Sequence, residues 1–245
     1  MALLLAAATL LTTAGCGRQA SQEPTATPEN PPATDSQQTA NQPETASSPV
    51  NVSTTTPEQE TPRILIAYFT WADNTIVENP SAVDVDATTS ASVLAPGNAA
   101  KIAGWIQQEV GGDLFSIVVS EPYSSDYDEC LDRAADEKAA KARPALVNHV
   151  DGMENYDIVF LGFPNWWYTL PMAVLSFVEE YDFSGKTVVP FCTHGTGGLA
   201  GTIRDLTAAL PEDVTILDPI GVYRPEVDSS RPAVQEWVAG LNLDI

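Results

Sequence analysis

The chain reads IVFLGFPNWWYTLPMAV from Ile158 to Val174. The first part of this stretch is an unbroken apolar run, which predicts a short strand, Asp157–Gly162, that is buried on both of its faces. The last part has the spacing of a helix, Met172–Tyr181. Between them lies a loop with three adjacent aromatic residues. A buried strand followed by a loop and a helix is the repeating unit of a parallel sheet covered by helices on both sides.

The same unit recurs before and after this stretch. Further strands are predicted at Ile64–Phe69, Leu114–Val119, Thr187–Cys192 and Val214–Leu217. Further helices are predicted at Asn98–Val110, Tyr127–Arg143, Leu199–Leu210 and Pro232–Leu241. This alternation predicts an α/β fold, a doubly wound three-layer sandwich with five parallel strands. Ligands of such folds bind beyond the carboxyl ends of the strands, so the loops after strands one, three and four are the candidate site.

The loop after strand one, Thr70–Thr75, has the sequence TWADNT. Thr70, Asn74 and Thr75 provide hydroxyl and amide groups, and successive backbone N–H groups in such a loop form a concave anion site. Each hydrogen bond from a neutral donor to a phosphate contributes roughly 1.5–3 kcal/mol, so a few of them together can replace a lysine. The alternative is an ordinary polar turn without a ligand.

The loop after strand three holds Trp166, Trp167 and Tyr168, where the packing of a core does not obviously require them. Aromatic side chains at the mouth of a pocket suit a flat heteroaromatic ligand, because each stacked pair adds about 1 kcal/mol beyond the buried area. The alternative is that the rings fold onto the helix that follows.

The loop after strand four, Thr193–Gly198, reads THGTGG. Its glycines permit positive φ and a close approach of the backbone to a planar ring. Gly195, Gly197 and Ala200, with Asp218 about twenty residues further on, also fit the dinucleotide-binding pattern. That pattern belongs after the first strand of its sheet, so it is a rival interpretation here.

Three segments together resemble the flavodoxin superfamily: ILIAYFTWADNT (Ile64–Thr75), IVFLGFPNWWYTLPMAV, and DFSGKTVVPFCTHGTGG (Asp182–Gly198). The resemblance extends from Ile64 to about Leu241, and it implies a five-stranded parallel sheet of order 2-1-3-4-5 with bound FMN. It also implies that the first loop wraps the phosphate, the second flanks the isoalloxazine ring and the third contacts the edge and other side of the ring. The residues that the resemblance assigns to the FMN site are Thr70, Trp71, Ala72, Asp73, Asn74, Thr75, Pro164, Asn165, Trp166, Trp167, Tyr168, Thr193, His194, Gly195, Thr196, Gly197 and Gly198.

Two features depart from the superfamily pattern. Asp73 stands where glycine is common, and its carboxylate would repel a phosphate unless it points to solvent, where two charges 4 Å apart interact by only about 1 kcal/mol. An insertion, Ile76–Gly97, delays the helix that normally starts at the loop. We expect this insertion to be a surface flap. The alternatives are a helix N-terminus lost from the phosphate, or added hydroxyl groups from Thr88–Ser92.

The N-terminal part has a different composition. Met1–Ala14 is almost wholly Ala, Leu and Thr, which is typical of the apolar region of a signal peptide. Small residues precede Cys16, as in a bacterial lipobox, so residues 1–16 are predicted to be a lipoprotein signal peptide with Cys16 as the lipidation site. Residues 17–62 are rich in Pro, Thr, Ser and Gln, which predicts a disordered tether to a domain at residues 63–245. The alternatives are a plain secretory signal or a cysteine placed by chance.

The chain has 33 acidic and 11 basic residues and a net charge of −22. Such a protein is not expected to bind nucleic acid or to attach electrostatically to anionic lipid. Acidic groups near a flavin would disfavour the negative charge gained on reduction, which predicts a low reduction potential.

Cys130 and Cys192 do not predict a disulfide framework, and His149 and His194 lack the spacing of metal ligands.

These observations predict an FMN-binding electron-transfer protein, anchored as a lipoprotein at the extracytoplasmic face of a bacterial membrane. Its redox partner protein is not identified by the sequence. One alternative is an NAD(P)H-dependent FMN or quinone oxidoreductase on the same fold. Another is a flavin-free surface module, for which Asp73 and the insertion are the arguments.

Overall fold

The computed structural model describes residues 61–243 and 245 of the chain. The predicted signal peptide, Cys16 and all but the last two residues of the predicted tether lie outside the described residues. Within the described part, no helix is both long enough and apolar enough to cross a bilayer.

A parallel sheet forms the centre of the domain. Its strands are β1 (Ile64–Tyr68), β2 (Asp113–Ser116), β3 (Ile158–Pro164), β4 (Thr187–His194), β5 (Thr215–Ile216) and β6 (Ile220–Tyr223). The order across the sheet is β2-β1-β3-β4-β5, and β6 also pairs with β4. All of these pairs are parallel. The predicted fold class and strand order are therefore confirmed.

The fifth position of the sheet is shared by β5 and β6. The first half of β4 pairs with β5, in the register Thr187↔Thr215, and its second half pairs with β6, in the register Phe191↔Ile220. Pro219 lies between the two segments, and a proline cannot donate to a sheet ladder. The sequence analysis missed β6, which continues along β4 to the carboxyl edge of the sheet.

Helices cover both faces of this sheet. They are α1 (Val85–Ala91), α2 (Asn98–Val110), α3 (Tyr127–Ala140), α4 (Met172–Glu180), α5 (Thr202–Ala209) and α6 (Arg231–Gly240). α2 and α6 bury Ile102, Ile106 and Val234 in one core, whereas α4 and α5 bury Phe177 and Leu206 in the other. The result is the expected three-layer sandwich.

Alternate side chains of β1 enter the two cores. Ile64 and Ile66 belong to the core beneath α2 and α6, and Leu65 and Ala67 belong to the opposite core. A strand buried on both faces needs apolar residues at consecutive positions, which explains the unbroken apolar run in the sequence.

Three predicted boundaries were wrong by three residues. β2 ends at Ser116 because the chain beyond it turns to pair with residues 145–147. α3 ends at Ala140, since Lys141 takes a left-handed φ of 49° and its N–H bonds back to the carbonyl of Glu137. α5 begins at Thr202, after a glycine-rich turn.

The insertion Ile76–Gly97 is only partly a surface flap. Ile76 and Val85 are exposed, but Ala87 and Val93 are buried in the core. The expectation of a simple flap is therefore wrong, because the insertion contains α1 and packs part of it against the domain.

Candidate functional site

A cleft opens at the carboxyl edge of the sheet, beyond β3 and β4. Its volume is about 260 Å³, which is just below the range of about 300–1,000 Å³ that is typical of small-molecule sites. It lies between the loop after β3, the loop after β4 and helix α3. The lining residues are Trp71, Tyr127, Cys130, Leu131, Ala134, Asn165, Trp166, Trp167, Tyr168, Gly195, Thr196, Gly197 and Arg224. The second and third predicted loops meet here, while the first contributes Trp71 alone.

The loop after β3 forms a tight turn that presents two aromatic rings. Trp166 and Thr169 exchange two backbone hydrogen bonds, of 2.9 and 3.0 Å. Trp167 and Tyr168 between them have positive φ, 51° and 65°. A left-handed conformation costs roughly 1–2 kcal/mol for each residue other than glycine. Strain of this kind persists only where the surrounding structure holds it, and it is concentrated at functional sites.

Helix α3 holds this turn in place. The indole N–H of Trp167 donates to the carbonyl of Leu131 at 2.9 Å, and the Lys138 ammonium group donates to the carbonyl of Trp167 at 2.6 Å. Trp167 and Tyr168 remain 41 % and 67 % exposed. Their rings are therefore available at the mouth of the cleft.

Trp166 packs inward, unlike its two neighbours. Its ring makes edge contacts with Phe69 at 5.4 Å and with Tyr123 at 5.2 Å between ring centres. Trp166 thus packs inward, but its ring contacts are to Phe69 and Tyr123 and not to the following helix that the alternative named. One part of its ring also lines the cleft.

The loop after β4 is tied to the loop after β3. Asn165 donates its backbone N–H to the carbonyl of Thr193 at 2.7 Å and its side-chain amide to the carbonyl of Gly198 at 2.6 Å. A Cβ atom built on Gly197 would lie 3.3 Å from the ring of Tyr168. The glycine therefore allows the two loops to approach each other closely, and together they form one wall of the cleft.

The first loop is held by its own side chains. The Asn74 amide donates to the carbonyls of Thr70 and Ile117, both at 2.9 Å, and its oxygen accepts a third bond of 2.8 Å. The Thr75 hydroxyl donates to the carbonyl of Tyr123 at 2.8 Å. The amide hydrogens of Asn74 and the hydroxyl hydrogen of Thr75 are thus already donated to backbone carbonyls. A phosphate at this loop would therefore depend on backbone N–H groups and on Thr70.

The Asp73 carboxylate is directed toward β2. It accepts a hydrogen bond of 2.6 Å from the hydroxyl of Ser116, and it contributes, after burial, to the raised pKa of Tyr68. Asp73 is not among the residues that line the cleft. The carboxylate expected to oppose a phosphate is therefore engaged with a neighbouring strand.

The N-terminus of α2 reaches the first loop in spite of the insertion. A Cβ atom built on Gly97, the residue before the helix, would lie 1.7 Å from the hydroxyl oxygen of Thr70. Asn98, the first residue of α2, lines a small crevice with Pro164, Thr193 and other residues at this edge. The amino end of a helix favours anions, so the delayed helix is still placed to contribute to a phosphate site.

The hydroxyl groups of Thr88–Ser92 were suggested as additional ligands for a phosphate. Where the structure describes these residues, they serve helix α1 instead. The Thr88 hydroxyl donates to the carbonyl of Asp84, one turn earlier in α1, at 2.8 Å. Ser92 has a left-handed φ of 57° and caps the end of that helix. Neither contributes to the lining of the cleft.

Arg224 is a lining residue that the sequence analysis missed. It directly follows β6, and its guanidinium carbon lies 3.3 Å from the position that a Cβ would take on Gly195. The missed signal is the short apolar run Ile220–Tyr223 after Pro219. If this run is recognised as a strand, the residue that follows it, Arg224, is expected at the carboxyl edge of the sheet.

Two buried thiols lie near the site. Burial raises the pKa of Cys130, in the cleft wall, and of Cys192, in β4, to about 12 in each case. Both cysteines are free. A thiol with so high a pKa is protonated at neutral pH and does not act as a nucleophile.

The described part of the chain can be compared with what a metal site and a dinucleotide site would require. It contains no cluster of His, Cys, Asp and Glu side chains that could hold a metal ion. His194 lies with its Nδ1 atom 2.6 Å from the carbonyl oxygen of Gly195. The glycine loop follows β4, and α5 opens only at Thr202, whereas the dinucleotide pattern requires a first strand and a helix that opens at the glycines.

The sequence profile of the flavodoxin family matches residues 87–240, which is more than half of the chain. The chain belongs to the flavodoxin family. The match begins after the first loop, so the residues Thr70–Thr75 lie outside the part of this flavodoxin that the profile matches.

Solved structures with this fold include proteins from two Bacteroides species. A protein from Bacteroides eggerthii assigned as a flavoprotein is 27 % identical, with a TM-score of 0.57, over 74 % of this chain and 99 % of its own. One from Bacteroides uniformis is 24 % identical, with a TM-score of 0.54 and the same coverage. A flavoprotein from Lactobacillus acidophilus in complex with FMN is 19 % identical, with a TM-score of 0.48, over 69 % of this chain and 97 % of its own. No curated protein matches the sequence.

Proposed function

We propose that this flavodoxin binds FMN in the cleft and transfers electrons to and from a partner protein. The observation that carries the proposal is the cleft itself, with an aromatic turn and a glycine loop joined at the carboxyl edge of the sheet. Membership of the flavodoxin family supports FMN as the cofactor.

The residues at this edge fit FMN in their chemistry. Trp167 and Tyr168 would flank the isoalloxazine ring, and the backbone of residues 195–198 would contact its edge. The first loop, through its backbone and Thr70, would hold the phosphate together with the N-terminus of α2. When bound, FMN supplies the electron-transfer chemistry, and the protein sets its position and electrostatic surroundings. The exposure of Tyr168 places the mouth of the cleft at the surface, where a redox partner can approach.

Titration of the full-length protein with FMN tests this proposal. We expect quenched flavin fluorescence and a visible flavin spectrum that survives desalting. Trp167→Ala should weaken FMN binding about two- to thirteenfold, because aromatic stacking contributes about 0.5–1.5 kcal/mol beyond the buried area.

Trp105→Ala is the matched control for this titration. Trp105 lies on α2 and packs against the opposite core, so its loss should leave the FMN affinity unchanged. A wild-type protein that does not retain FMN would contradict the proposal and would favour a flavin-free surface module.

An NAD(P)H-dependent FMN or quinone oxidoreductase is the second candidate function. Arg224 favours it, because a cation in the cleft lining could attract an anionic hydride donor. Steady-state NADH and NADPH oxidation with quinone acceptors separates the two functions. Turnover would support the oxidoreductase, and its absence in FMN-loaded protein would support the electron carrier.

We also propose that the domain is held at the extracytoplasmic face of a bacterial membrane by a lipid on Cys16. The support is the apolar segment Met1–Ala14 followed by small residues and Cys16. Growth of expressing cells with a labelled fatty acid tests this proposal. The label should enter the wild-type chain but not Cys16→Ala, and an unlabelled wild-type chain would contradict it.

A further inference from the structure

Arg224 differs from the other residues around the cleft. Among the described residues that line the cleft, it alone is charged. It also lines the neighbouring crevice at the N-terminus of α2. Its guanidinium group lies against the backbone of Gly195, with the Cζ and Nη2 atoms 3.3 and 3.4 Å from the position of a Cβ there. A side chain at residue 195 would press on the guanidinium group and shift it by a few tenths of an ångström, so the glycine allows this close approach.

Within residues 61–243, no acidic side chain forms an ion pair with Arg224. Each of the other arginines among residues 61–243 makes a side-chain hydrogen bond or an ion pair. The Arg224 guanidinium group makes neither with any described residue. This is unusual in a chain with 33 acidic and 11 basic residues. A half-buried cation without a partner favours any negative charge that appears beside it, and it does so more strongly than in water because the local dielectric constant is lower.

Reduction of a flavin creates such a charge. Two electrons and one proton add one negative charge to the ring system, so a nearby cation stabilises the reduced form more than the oxidised form. The acidic side chains that predicted a low potential are absent from the described lining of the cleft. The charge carried by the described lining of the cleft is therefore opposite in sign to the net charge of the protein.

We propose that Arg224 raises the reduction potential of the bound FMN by binding the reduced ring more tightly than the oxidised ring. The inference rests on the proposed FMN site. It gives the flavin a higher potential than the net charge of −22 would predict.

The test measures FMN affinity and reduction potential in the full-length protein, with dithionite as the electron donor and a reference dye. In Arg224→Gln, two-electron-reduced FMN should lose about tenfold more affinity than oxidised FMN, which corresponds to a potential lower by about 30 mV. Arg224→Lys keeps the charge and should restore most of the potential.

Arg231→Gln is the matched control for this measurement. Arg231 begins α6 and bonds to Gln108 on the surface, outside the cleft lining. Its substitution should leave both the affinity and the potential unchanged. A shift in Arg231→Gln equal to that in Arg224→Gln would mean that overall charge is responsible, and it would overturn the inference.

Three other results would also overturn it. If wild-type protein does not bind FMN, the proposed function fails and the role of Arg224 fails with it. If FMN binds and Arg224→Gln keeps the wild-type potential, the proposed function stands and the inference is wrong. If Arg224→Gln weakens oxidised and reduced FMN equally but leaves riboflavin binding unchanged, Arg224 contacts the phosphate and not the ring.

Discussion

Gly97 is the residue at which the first loop and α2 come into contact. Its φ of −66° is accessible to any residue, so only space limits substitution. A methyl group there would lie 1.7 Å from the hydroxyl oxygen and 2.8 Å from the Cβ of Thr70. Gly97→Ala should therefore reduce the free energy of unfolding by about 1–3 kcal/mol, as overpacking commonly does. Urea unfolding of the protein without flavin measures the change.

Gly104→Ala provides a control within the same helix. A Cβ on Gly104 meets no atom within 4 Å, and alanine in a helix interior is more favourable than glycine by roughly 0.5–1 kcal/mol. The two substitutions should shift the unfolding midpoint in opposite directions. Thr70→Ala should recover part of the loss in Gly97→Ala, because it removes the nearest clashing atom. Equal effects at Gly97 and Gly104 would contradict the close packing at Thr70.

Asn74 shows that the identity of a polar residue does not reveal whether its side chain bonds to a ligand or to the protein itself. A loop rich in amides and hydroxyls predicts hydrogen bonding, but the same donors can serve a ligand or the backbone of the protein. Asn74 is 1 % exposed, and a buried amide must find partners, which here are backbone groups of its own loop and of the chain after β2. The sequence predicted the position of the loop, whereas the direction of each donor depends on tertiary packing.

At the scale of elements, long and regular patterns were predicted best. The bounds of α2 match the structure, because its apolar spacing is clear and two glycines follow it. β3 and β4 were found and extend two residues beyond their predicted ends. α1 and β6 were missed, because elements of seven and four residues show too little periodicity and lie beside an insertion and a proline.

The missed strand matters for the site. β6 carries the chain to the end of β4, in the register His194↔Tyr223, and so delivers Arg224 to the cleft. The three loops predicted from the sequence contain no lysine or arginine. The sequence therefore predicted the positions of the cleft walls, but not the arginine in their lining. The effect proposed for Arg224 opposes the low potential predicted from net charge, because nearby charges act on a site more strongly than distant, screened ones.

At the scale of the whole molecule, two buried thiols and the hydroxyl of the half-buried Tyr181 make the free energy of unfolding depend on pH in the alkaline range. Burial raises the pKa of both thiols, Cys130 and Cys192, from 9.0 to about 12, and it also raises the pKa of Tyr181 to about 12. The folded state thus retains protons that the unfolded state loses. The stabilising contribution of each thiol is complete below about pH 9 and is lost as the pH rises toward 12.

Stability should therefore fall with increasing pH above about 9. Each thiol removes up to about 1.4 kcal/mol of unfolding free energy per pH unit in this range. Urea unfolding at about pH 8 and about pH 10.5, without flavin and with a reductant present, measures the decline. Cys130→Ala/Cys192→Ala should be less stable than wild type at pH 8 because it leaves cavities, but its stability should fall less steeply between the two pH values. If the double variant and the wild type have the same slope, the decline comes from Tyr181 or from general charge repulsion in this acidic protein, and the thiols do not contribute to it.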